Sequence, residues 1–313
     1  MRYILKKTGV LIVTLLLISL LAFLAFQLIP GDPTTKMLGT DYTPERAASL
    51  RHELGLDRNV FIRYGEWLAG FVTGDMGVSY SYDMPVSQVM EGKGAVTAGL
   101  SLMAWCLIIL ISIPMGIVLA RFQGGRLDRV CVAINQVFMA IPPFFLGILF
   151  TYIFGLVLHL FVPGGFVSPS QSFGGFMVYL IFPALAIAIP KAARVTKLLR
   201  SAILTQMTQD YVRTAYSRGN SRWNVIRGHV LRNAILPVVT YVAMTLADIV
   251  AGSIIVEQVF ALPGLGRLLI ASIGNRDYPV VQCIVVIIAF VVVFMNYLAD
   301  VVTQSIDPRV RLG

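Results

Sequence analysis

The sequence predicts an all-α polytopic membrane protein with six transmembrane helices, and three observations lead to this fold class. Hydrophobic residues make up 57% of the 313-residue chain and charged residues only 13%, whereas soluble domains carry about 25% charged residues. The mean hydropathy is +0.79. Uncharged runs long enough to cross a bilayer recur along the chain. These features favour a single transmembrane domain over residues 1–313.

Six apolar runs supply the predicted spans, because a bilayer core needs roughly 20 apolar residues per helix. The first run follows two lysines, as a signal peptide would, but it is about twice the length of a signal h-region and ends without a small-residue cleavage site. We therefore interpret it as a retained span. The uncharged stretch 130–190 divides at its Gly- and Pro-rich part, 162–175. The predicted spans are Gly9–Ile29, Gly94–Ala120, about 131–160, 174–190, Ala234–Val256 and Tyr278–Ala299.

The positive charges predict the orientation, because cytoplasmic loops carry an excess of Lys and Arg. Eight Lys or Arg residues lie on the side of the long loop 30–94, which also holds nine Asp or Glu residues. The other side therefore faces the cytoplasm, with both termini and the loop 191–233. Its seventeen positive residues are Arg2, Lys6, Lys7, Arg121, Arg126, Arg129, Lys191, Arg194, Lys197, Arg200, Arg213, Arg218, Arg222, Arg227, Arg232, Arg309 and Arg311.

Several classes of function lack support in this sequence. The net charge of +9 is explained by the positive loops of a membrane protein, so we expect no nucleic-acid partner. The three cysteines and three histidines are scattered, without the spacing of a metal site. No phosphate-binding P-loop, GxSxG elbow or HExxH motif occurs. We expect a non-catalytic chain without a bound cofactor or metal, which is either a carrier or a subunit driven by a partner.

Two places are candidates for a transport pathway. Asp248 is the one charged group well inside a predicted span, and three roles remain open for it: lining a pore, relaying protons or pairing with a neighbouring helix. The loop 257–279 breaks the helical pattern at Pro263 and Gly264, after Glu257 and Phe260. It forms either a gate near the pathway or a turn packed on the outer helix ends.

The stretch 210–237 differs from its surroundings, with five arginines and a single acid. Asp210 suits the start of a short helix, and Gly219 suits a left-handed C-cap before a second helix that ends at Pro237. We interpret Ala215 as a small knob that enters a groove on another protein. Two alternatives remain: a positive loop that only sets topology, or a surface for lipid headgroups.

The stretch also resembles the EAA loop of ATP-binding-cassette (ABC) importer permeases. Residues 213–215, read Arg-Thr-Ala, stand where the family has Glu-Ala-Ala, Gly219 is its glycine, and Leu236-Pro237 matches its Leu-Pro ending. The Glu is absent and the first Ala is Thr214, so the resemblance implies the docking of this loop but not the particular salt bridge of that Glu. Other marks resemble the first permease subunit of the oligopeptide/dipeptide/nickel branch: "LIPGDP" at 28–33, "LGLD" at 54–57, "GDMGVSY" at 74–80, "IVEQVFALPGLGRLL" at 255–269, "NRDYPVVQ" at 275–282, "NYLADV" at 296–301 and "DPRVR" at 307–311.

The resemblance implies the type I importer permease fold and several partners. These are a homologous second permease subunit forming a heterodimer, two cytoplasmic ATPase subunits that bind ATP and Mg, and an extracytoplasmic substrate-binding lipoprotein or periplasmic protein. It implies a location in the plasma (inner) membrane of a bacterium or archaeon, in contact with lipid. The residues expected to contact an ATPase are Asp210, Tyr211, Arg213, Thr214, Ala215, Tyr216, Arg218 and Gly219.

Within this branch, peptides are the expected substrate. Nickel chelates, glutathione and oligosaccharides remain alternatives. An ion-coupled secondary carrier would need more charged groups at mid-membrane and an inverted repeat. A membrane enzyme would need a nucleophile and base or a metal set, and the sequence offers none of these patterns.

Overall fold

A computed structural model describes residues 2–28, 33–53 and 55–306. Most of the 28–33 mark, Leu54 of the 54–57 mark and the mark at 307–311, with Arg309 and Arg311, lie outside these residues. Within the described residues the secondary structure is helical, apart from one isolated bridge between Val78 and Pro85. The all-α prediction is therefore confirmed.

The first half of the chain alternates one long helix, a group of short helices and a second long helix. In order, they are α1 (Arg2–Leu28), α2 (Pro33–Leu38), α3 (Pro44–Glu53), α4 (Val60–Thr73), α5 (Val86–Val89) and α6 (Lys93–Arg121). Thr43 caps α3, because its hydroxyl accepts a hydrogen bond from the Arg46 amide at 3.3 Å.

The second half contains three long helices and the segment that connects two of them. The helices are α7 (Arg126–Ala140), α8 (Pro143–Phe150), α9 (Phe173–Gln206), α10 (Asp210–Ser217), α11 (Arg222–Val225), α12 (Leu231–Ala234), α13 (Leu236–Val259), α14 (Leu265–Asn275) and α15 (Tyr278–Ile306). A π-helical turn, Thr151–Val157, continues α8, and another, Ile226–Val230, joins α11 to α12.

Five of the helices in the described ranges, α1, α6, α9, α13 and α15, are long and apolar enough to span a membrane. The sixth predicted span is a bent pair: α7 and α8 with its π turn meet at 100°. Pro142 and Pro143 cause this break, because a residue that precedes proline avoids the helical conformation. Ile141 and Pro142 accordingly adopt ψ angles of 126° and 142°.

The fourth span is longer than predicted. The sequence places its end at residue 190, but α9 continues through Pro190 to Gln206. Lys191 therefore belongs to a spanning helix, and the loop that was expected over 191–233 begins only after residue 206. Proline is tolerated inside a membrane helix when neighbouring groups satisfy the freed carbonyls.

The chain divides into two compact units. One unit contains residues up to 96 and 263–293, in which α4 packs on α1. There the Ser19 and Tyr64 hydroxyls lie 2.8 Å apart, and the Phe23 and Tyr64 rings meet edge to face at 5.6 Å. Aromatic and hydroxyl contacts thus join α1 to the segment that follows it.

The other unit contains residues 97–262 and 294–306, with α9 packed against α7, α8 and α13. Small residues allow these helices to approach closely. A Cβ atom at Gly116 of α6 would lie 2.9 Å from a Leu199 methyl carbon of α9. The alanines of α9 at 184, 186, 188, 192 and 193 are buried. This close packing positions the α9 end from which the candidate site begins.

Candidate functional site

The segment 207–235 connects α9 to α13 and contains α10, a helix of two turns. Asp210 lies in its first turn, where a carboxylate interacts favourably with the helix dipole. The Arg213 guanidinium lies 3.6 Å from the Asp210 carboxylate, and both side chains are exposed. An exposed pair of this kind adds little to stability, so these two charges remain available at the surface.

The turn after α10 has the predicted form. Gly219 adopts φ +80°, a left-handed conformation that costs glycine no steric strain. Its amide donates to the Tyr216 carbonyl at 2.9 Å, and the Asn220 side chain donates to the Ala215 carbonyl at 3.1 Å. The Ser221 hydroxyl then accepts from the Asn224 amide and caps α11. The predicted helix–glycine turn–helix is confirmed, but the second helical stretch ends at Ala234, and Pro237 lies in the first turn of α13 instead of ending that stretch.

The two faces of α10 differ sharply. Val212 and Ala215 are buried, with Ala215 only 5% exposed, so this face packs within the chain. The interpretation of Ala215 as an outward knob is therefore wrong for this chain, because a two-turn amphipathic helix buries its small apolar residues against its own fold. The exposed face consists of Asp210, Tyr211, Arg213, Thr214, Tyr216, Ser217 and Arg218, with Gly219 exposed beyond it.

Side-chain hydrogen bonds hold α10 at its first turn. The Tyr211 hydroxyl donates to the Gln206 side-chain oxygen at 2.9 Å, and the Asn233 side-chain amide donates to the Tyr211 hydroxyl at 3.4 Å. Tyr211 thus connects the end of α9 with α12. The helix presents its polar face from a position that both neighbouring helices determine.

Asp248, the charged residue singled out within a span, pairs with Lys191. The Lys191 Nζ atom lies 3.9 Å from an Asp248 carboxylate oxygen, joining α9 to α13. The Lys191 side chain is 18% exposed and that of Asp248 is 72% exposed. The carboxylate therefore has a cationic neighbour and an open side. Sequence reasoning placed Lys191 in the cytoplasmic loop and not beside Asp248, because the helix was predicted to end one residue before it.

The remaining pathway candidates are enclosed. Glu257 is 0% exposed and accepts a hydrogen bond from the Thr97 hydroxyl at 2.7 Å. Phe260 is also buried, and its carbonyl accepts from the Tyr179 hydroxyl at 3.1 Å. Neither side chain is open to solvent in this conformation. Both instead secure the end of α13 against α6 and α9.

Pro263 and Gly264 lie in the other unit, where they precede α14. Gly264 is the extended N-cap residue of α14 and is buried, while Pro263 is partly exposed. These two residues start an amphipathic helix whose buried side includes Leu265, Leu268 and Leu269. The structure thus describes a turn that leads into α14, and both roles left open for this loop, a gate near the pathway and a turn packed on the outer helix ends, remain predictions.

Two polar clusters were not found from the sequence. In the first unit, Asp277 is buried and accepts hydrogen bonds from the Ser79 hydroxyl and from the Tyr80 and Ser81 amides. In the second, Asp128 is buried and pairs with Arg200. Each cluster joins residues distant in sequence. The only local sequence feature that could have indicated the role of Asp128 is its position as the third residue of a helix that follows two glycines.

The described residues contain no group of three or more His, Cys, Asp or Glu that could hold a metal ion. The side chains of segment 207–235 offer hydrogen-bonding groups and charges, and no set of metal ligands was found among the described residues. The exposed hydroxyl, guanidinium and carboxylate groups of segment 207–235 are suited to hydrogen bonds and ion pairs with another protein.

Comparison with known proteins identifies the family. Residues 112–312 match the binding-protein-dependent transport system inner membrane component, and residues 1–91 match the N-terminal region of such membrane components. The chain belongs to this family. As a permease of this kind, it is a multi-pass inner-membrane protein that works with ATPase subunits and a substrate-binding protein.

Three relatives match the permease over nearly its whole length. A Brucella abortus (strain 2308) protein named for a peptide transport system permease is 36% identical, covering 98% of both chains. The oligopeptide transport system permease protein AppB of Bacillus subtilis is 34% identical, and the dipeptide transport system permease protein DppB of Escherichia coli K12 is 32% identical. Each of these two alignments covers 99% of both chains.

A solved structure confirms the fold of the permease. A chain of the MetNI methionine ABC transporter, in inward-facing conformations, superposes with a TM-score of 0.55 at 16% identity. The likeness covers 68% of this chain and 94% of that one. The importer permease fold expected from the EAA-like stretch is therefore present.

Proposed function

We propose that this permease forms one half of the translocation pathway of an ATP-driven importer of dipeptides or oligopeptides. The observation that carries the proposal is the full-length likeness to permeases named for peptide, oligopeptide and dipeptide transport. A second, homologous permease subunit completes the pathway. Two ATPase subunits bind the ATP and Mg, and an extracytoplasmic binding protein, either a lipoprotein or periplasmic, delivers the peptide. This chain itself is non-catalytic and binds no cofactor.

The exposed face of α10 is the proposed contact with an ATPase subunit. The hydrogen bonds of Tyr211 to Gln206 and from Asn233 would pass a displacement of α10 to α9 and α12. The hydroxyls and guanidinium groups on this face match the polar rim of a protein interface. Both termini and this segment then lie in the cytoplasm, in agreement with the excess of positive charges on that side, although Lys191, which was counted there, lies within the spanning helix α9.

Asp248 is the proposed pathway residue. A carboxylate within a membrane span is costly in contact with lipid and faces a bundle interior or a watery cavity. Its 72% exposure in the isolated chain leaves a surface that the second subunit or the pathway must cover. Lys191 balances its charge. The enclosed residues Glu257 and Phe260 are proposed to hold the end of α13, and Pro263 and Gly264 to begin α14.

The test is reconstitution of the permease with its second permease subunit, ATPases and binding protein in proteoliposomes. We expect ATP-dependent uptake of labelled dipeptides or oligopeptides, with no uptake when the binding protein is omitted. A competition panel with a nickel chelate, glutathione and an oligosaccharide identifies the substrate class. Uptake by the permease alone, without ATPases and ATP, would contradict the proposal in favour of an ion-coupled carrier. A reporter fused to the C-terminus tests the cytoplasmic orientation.

A further inference from the structure

The turn between α6 and α7, which we call the α6–α7 turn and define as residues 120–128, is built around a buried carboxylate. Asp128 is 3% exposed and lies in the first turn of α7. One of its oxygens accepts a hydrogen bond from the Gly124 amide at 2.9 Å. The Asp128 carboxylate thus holds the backbone of the α6–α7 turn at Gly124. Its other hydrogen bonds join this turn to a second helix.

The first attachment runs to α9. The Arg200 guanidinium donates through Nε to Asp128 Oδ1 at 3.0 Å and through Nη2 to Asp128 Oδ2 at 2.8 Å. A bidentate pair fixes orientation as well as distance, which a single contact does not. Arg200 lies near the C-terminal end of α9, shortly before α10 begins at Asp210. The entry to the α10 segment is therefore bound to the α6–α7 turn.

The second attachment runs to α11. Arg222, the first residue of α11, donates through Nη2 to the Ala120 carbonyl at 3.1 Å and to the Gln123 side-chain oxygen at 3.4 Å. The Arg121 guanidinium lies 5.0 Å from the centre of the Trp223 ring, which is a cation–π distance. Arg222 follows the Gly219 turn. The exit from the α10 segment is therefore bound to the same turn.

One attachment lies before α10 in the chain and the other lies after it. Residues 201–221 lie between Arg200 and Arg222, and both arginines hold the α6–α7 turn. We propose that Asp128 and Arg222 are positioning residues for coupling, which make the α6–α7 turn move as one body with α10. A displacement of α10 then reaches α6, α7 and α9 together instead of bending the segment locally. This inference rests on the proposed role of α10 as the ATPase contact.

The physical argument is that energetic coupling needs a contiguous network with fixed geometry. Without the attachments, α10 would still be linked to the rest of the chain by the backbone, by the buried packing of Val212 and Ala215 and by the Tyr211 hydrogen bonds, but not by a contact that fixes the orientation of the α6–α7 turn. An Arg-to-Lys change keeps the charge but loses the bidentate geometry. Arg200→Lys is therefore expected to weaken coupling while the ion pair partly remains.

The experiment uses the complete reconstituted transporter with the variants Asp128→Asn, Arg200→Lys and Arg222→Gln. Three quantities are measured: labelled peptide taken up per ATP hydrolysed, the ATPase rate, and the amount of assembled complex. Arg129→Gln is the matched control, because Arg129 is an exposed arginine close to the same buried carboxylate. We expect uptake per ATP to fall on the order of fivefold or more in the variants, at a nearly unchanged ATPase rate and amount of complex, and to stay constant in the control.

Arg222→Gln keeps the proposal falsifiable if Asp128→Asn fails to assemble, because Arg222 is exposed and its replacement leaves no buried charge. Normal uptake per ATP in Arg222→Gln overturns the proposal. So does a parallel loss of uptake and ATPase activity that follows the amount of complex, since that is a structural effect only. Partial recovery of uptake per ATP in the exchanged pair Asp128→Arg with Arg200→Asp supports it.

A variant on α10 separates this inference from the proposed function. Thr214→Trp changes the exposed face without touching either attachment. If Thr214→Trp abolishes stimulated ATPase activity but the three positioning variants behave normally, only the inference fails. If Thr214→Trp also behaves normally, the assignment of α10 as the ATPase contact fails.

Discussion

Lys191 and Asp248 form an ion pair at 3.9 Å between two spanning helices, and the two side chains are exposed to very different degrees. Lys191 is largely enclosed at 18% exposure, while Asp248 is 72% exposed. The lysine therefore neutralises a carboxylate that keeps an open side. In a membrane protein such a side cannot face lipid at low cost.

This pair predicts that Asp248→Asn alters transport rather than folding. The variant leaves Lys191 as an unpaired cation beside the proposed pathway, so we expect uptake of cationic peptides to fall relative to anionic ones. The measurement is uptake of a peptide series of different charge in proteoliposomes. Lys197→Gln, which removes an exposed cation from the same helix, is the control. An unchanged profile across the series would assign the pair a structural role.

A side chain at position 219 is expected to disturb the backbone of the turn after α10 without colliding with a neighbour. An added Cβ meets nothing within 4 Å, but φ +80° strains any L side chain, by roughly 1–2 kcal/mol. We expect Gly219→Ala to reduce peptide-stimulated ATPase activity, and Gly219→Pro to abolish it because the hydrogen bond to Tyr216 is lost as well.

The control for this turn is Gly228→Ala in the same segment, where a Cβ also meets nothing and φ is not in the left-handed region. If peptide-stimulated ATPase activity falls equally in Gly228→Ala and Gly219→Ala, the left-handed backbone at residue 219 is not the cause of the loss.

The two faces of α10 predict different consequences for two tryptophan substitutions. Ala215→Trp inserts a large ring into a buried position, and overpacking of this kind costs typically 1–3 kcal/mol or more. Thr214→Trp enlarges the exposed face. We expect Ala215→Trp to speed tryptic cleavage at Arg213 and Arg218 by displacing the helix, and Thr214→Trp to leave cleavage unchanged while preventing ATPase binding. Reversed cleavage sensitivities would contradict this division into faces.

Loss of the Tyr211 hydroxyl is expected to loosen α10 locally, with a smaller effect than the substitutions at Ala215. Tyr211→Phe removes the hydroxyl that bonds Gln206 and Asn233, which is worth about 1 kcal/mol per hydrogen bond. We expect faster tryptic cleavage within α10 and a modest loss of uptake per ATP. Tyr216→Phe is the control for cleavage only, because that tyrosine is similarly exposed on the same helix but belongs to the proposed ATPase contact. Equal effects of the two substitutions on cleavage would mean that the Tyr211 bonds do not hold the helix.

Replacement of Asp277 is expected to lower the stability of the compact unit that contains it. Its buried carboxylate accepts hydrogen bonds from Ser79, Tyr80 and Ser81, and Asp277→Asn places an amide donor among these donors. We expect a loss of about 1–3 kcal/mol, measured as a lower thermal midpoint of the purified transporter. Ser81→Ala, which keeps the Ser81 amide and removes only an exposed side chain, is the control. A midpoint equal to that of the control would contradict this role.

Much of the candidate segment was predictable because its signals are local. Asp210 starts α10, Gly219 supplies the left-handed turn, and Ser221 caps the next helix, as residue types alone indicate. The direction in which α10 faces was not predictable. Ala215 is small enough for either a knob or a buried contact, and only its packing against the rest of the chain selects the second.

The sequence by itself determined the fold class, the six apolar spans and the family resemblance, because each depends on run length, composition and short motifs. Tertiary structure decided the burial of Glu257, the pairing of Lys191 with Asp248 and the attachment of Arg200 and Arg222 to one turn. These contacts join residues far apart in the chain. Their geometry follows from how the helices pack, which no local pattern specifies.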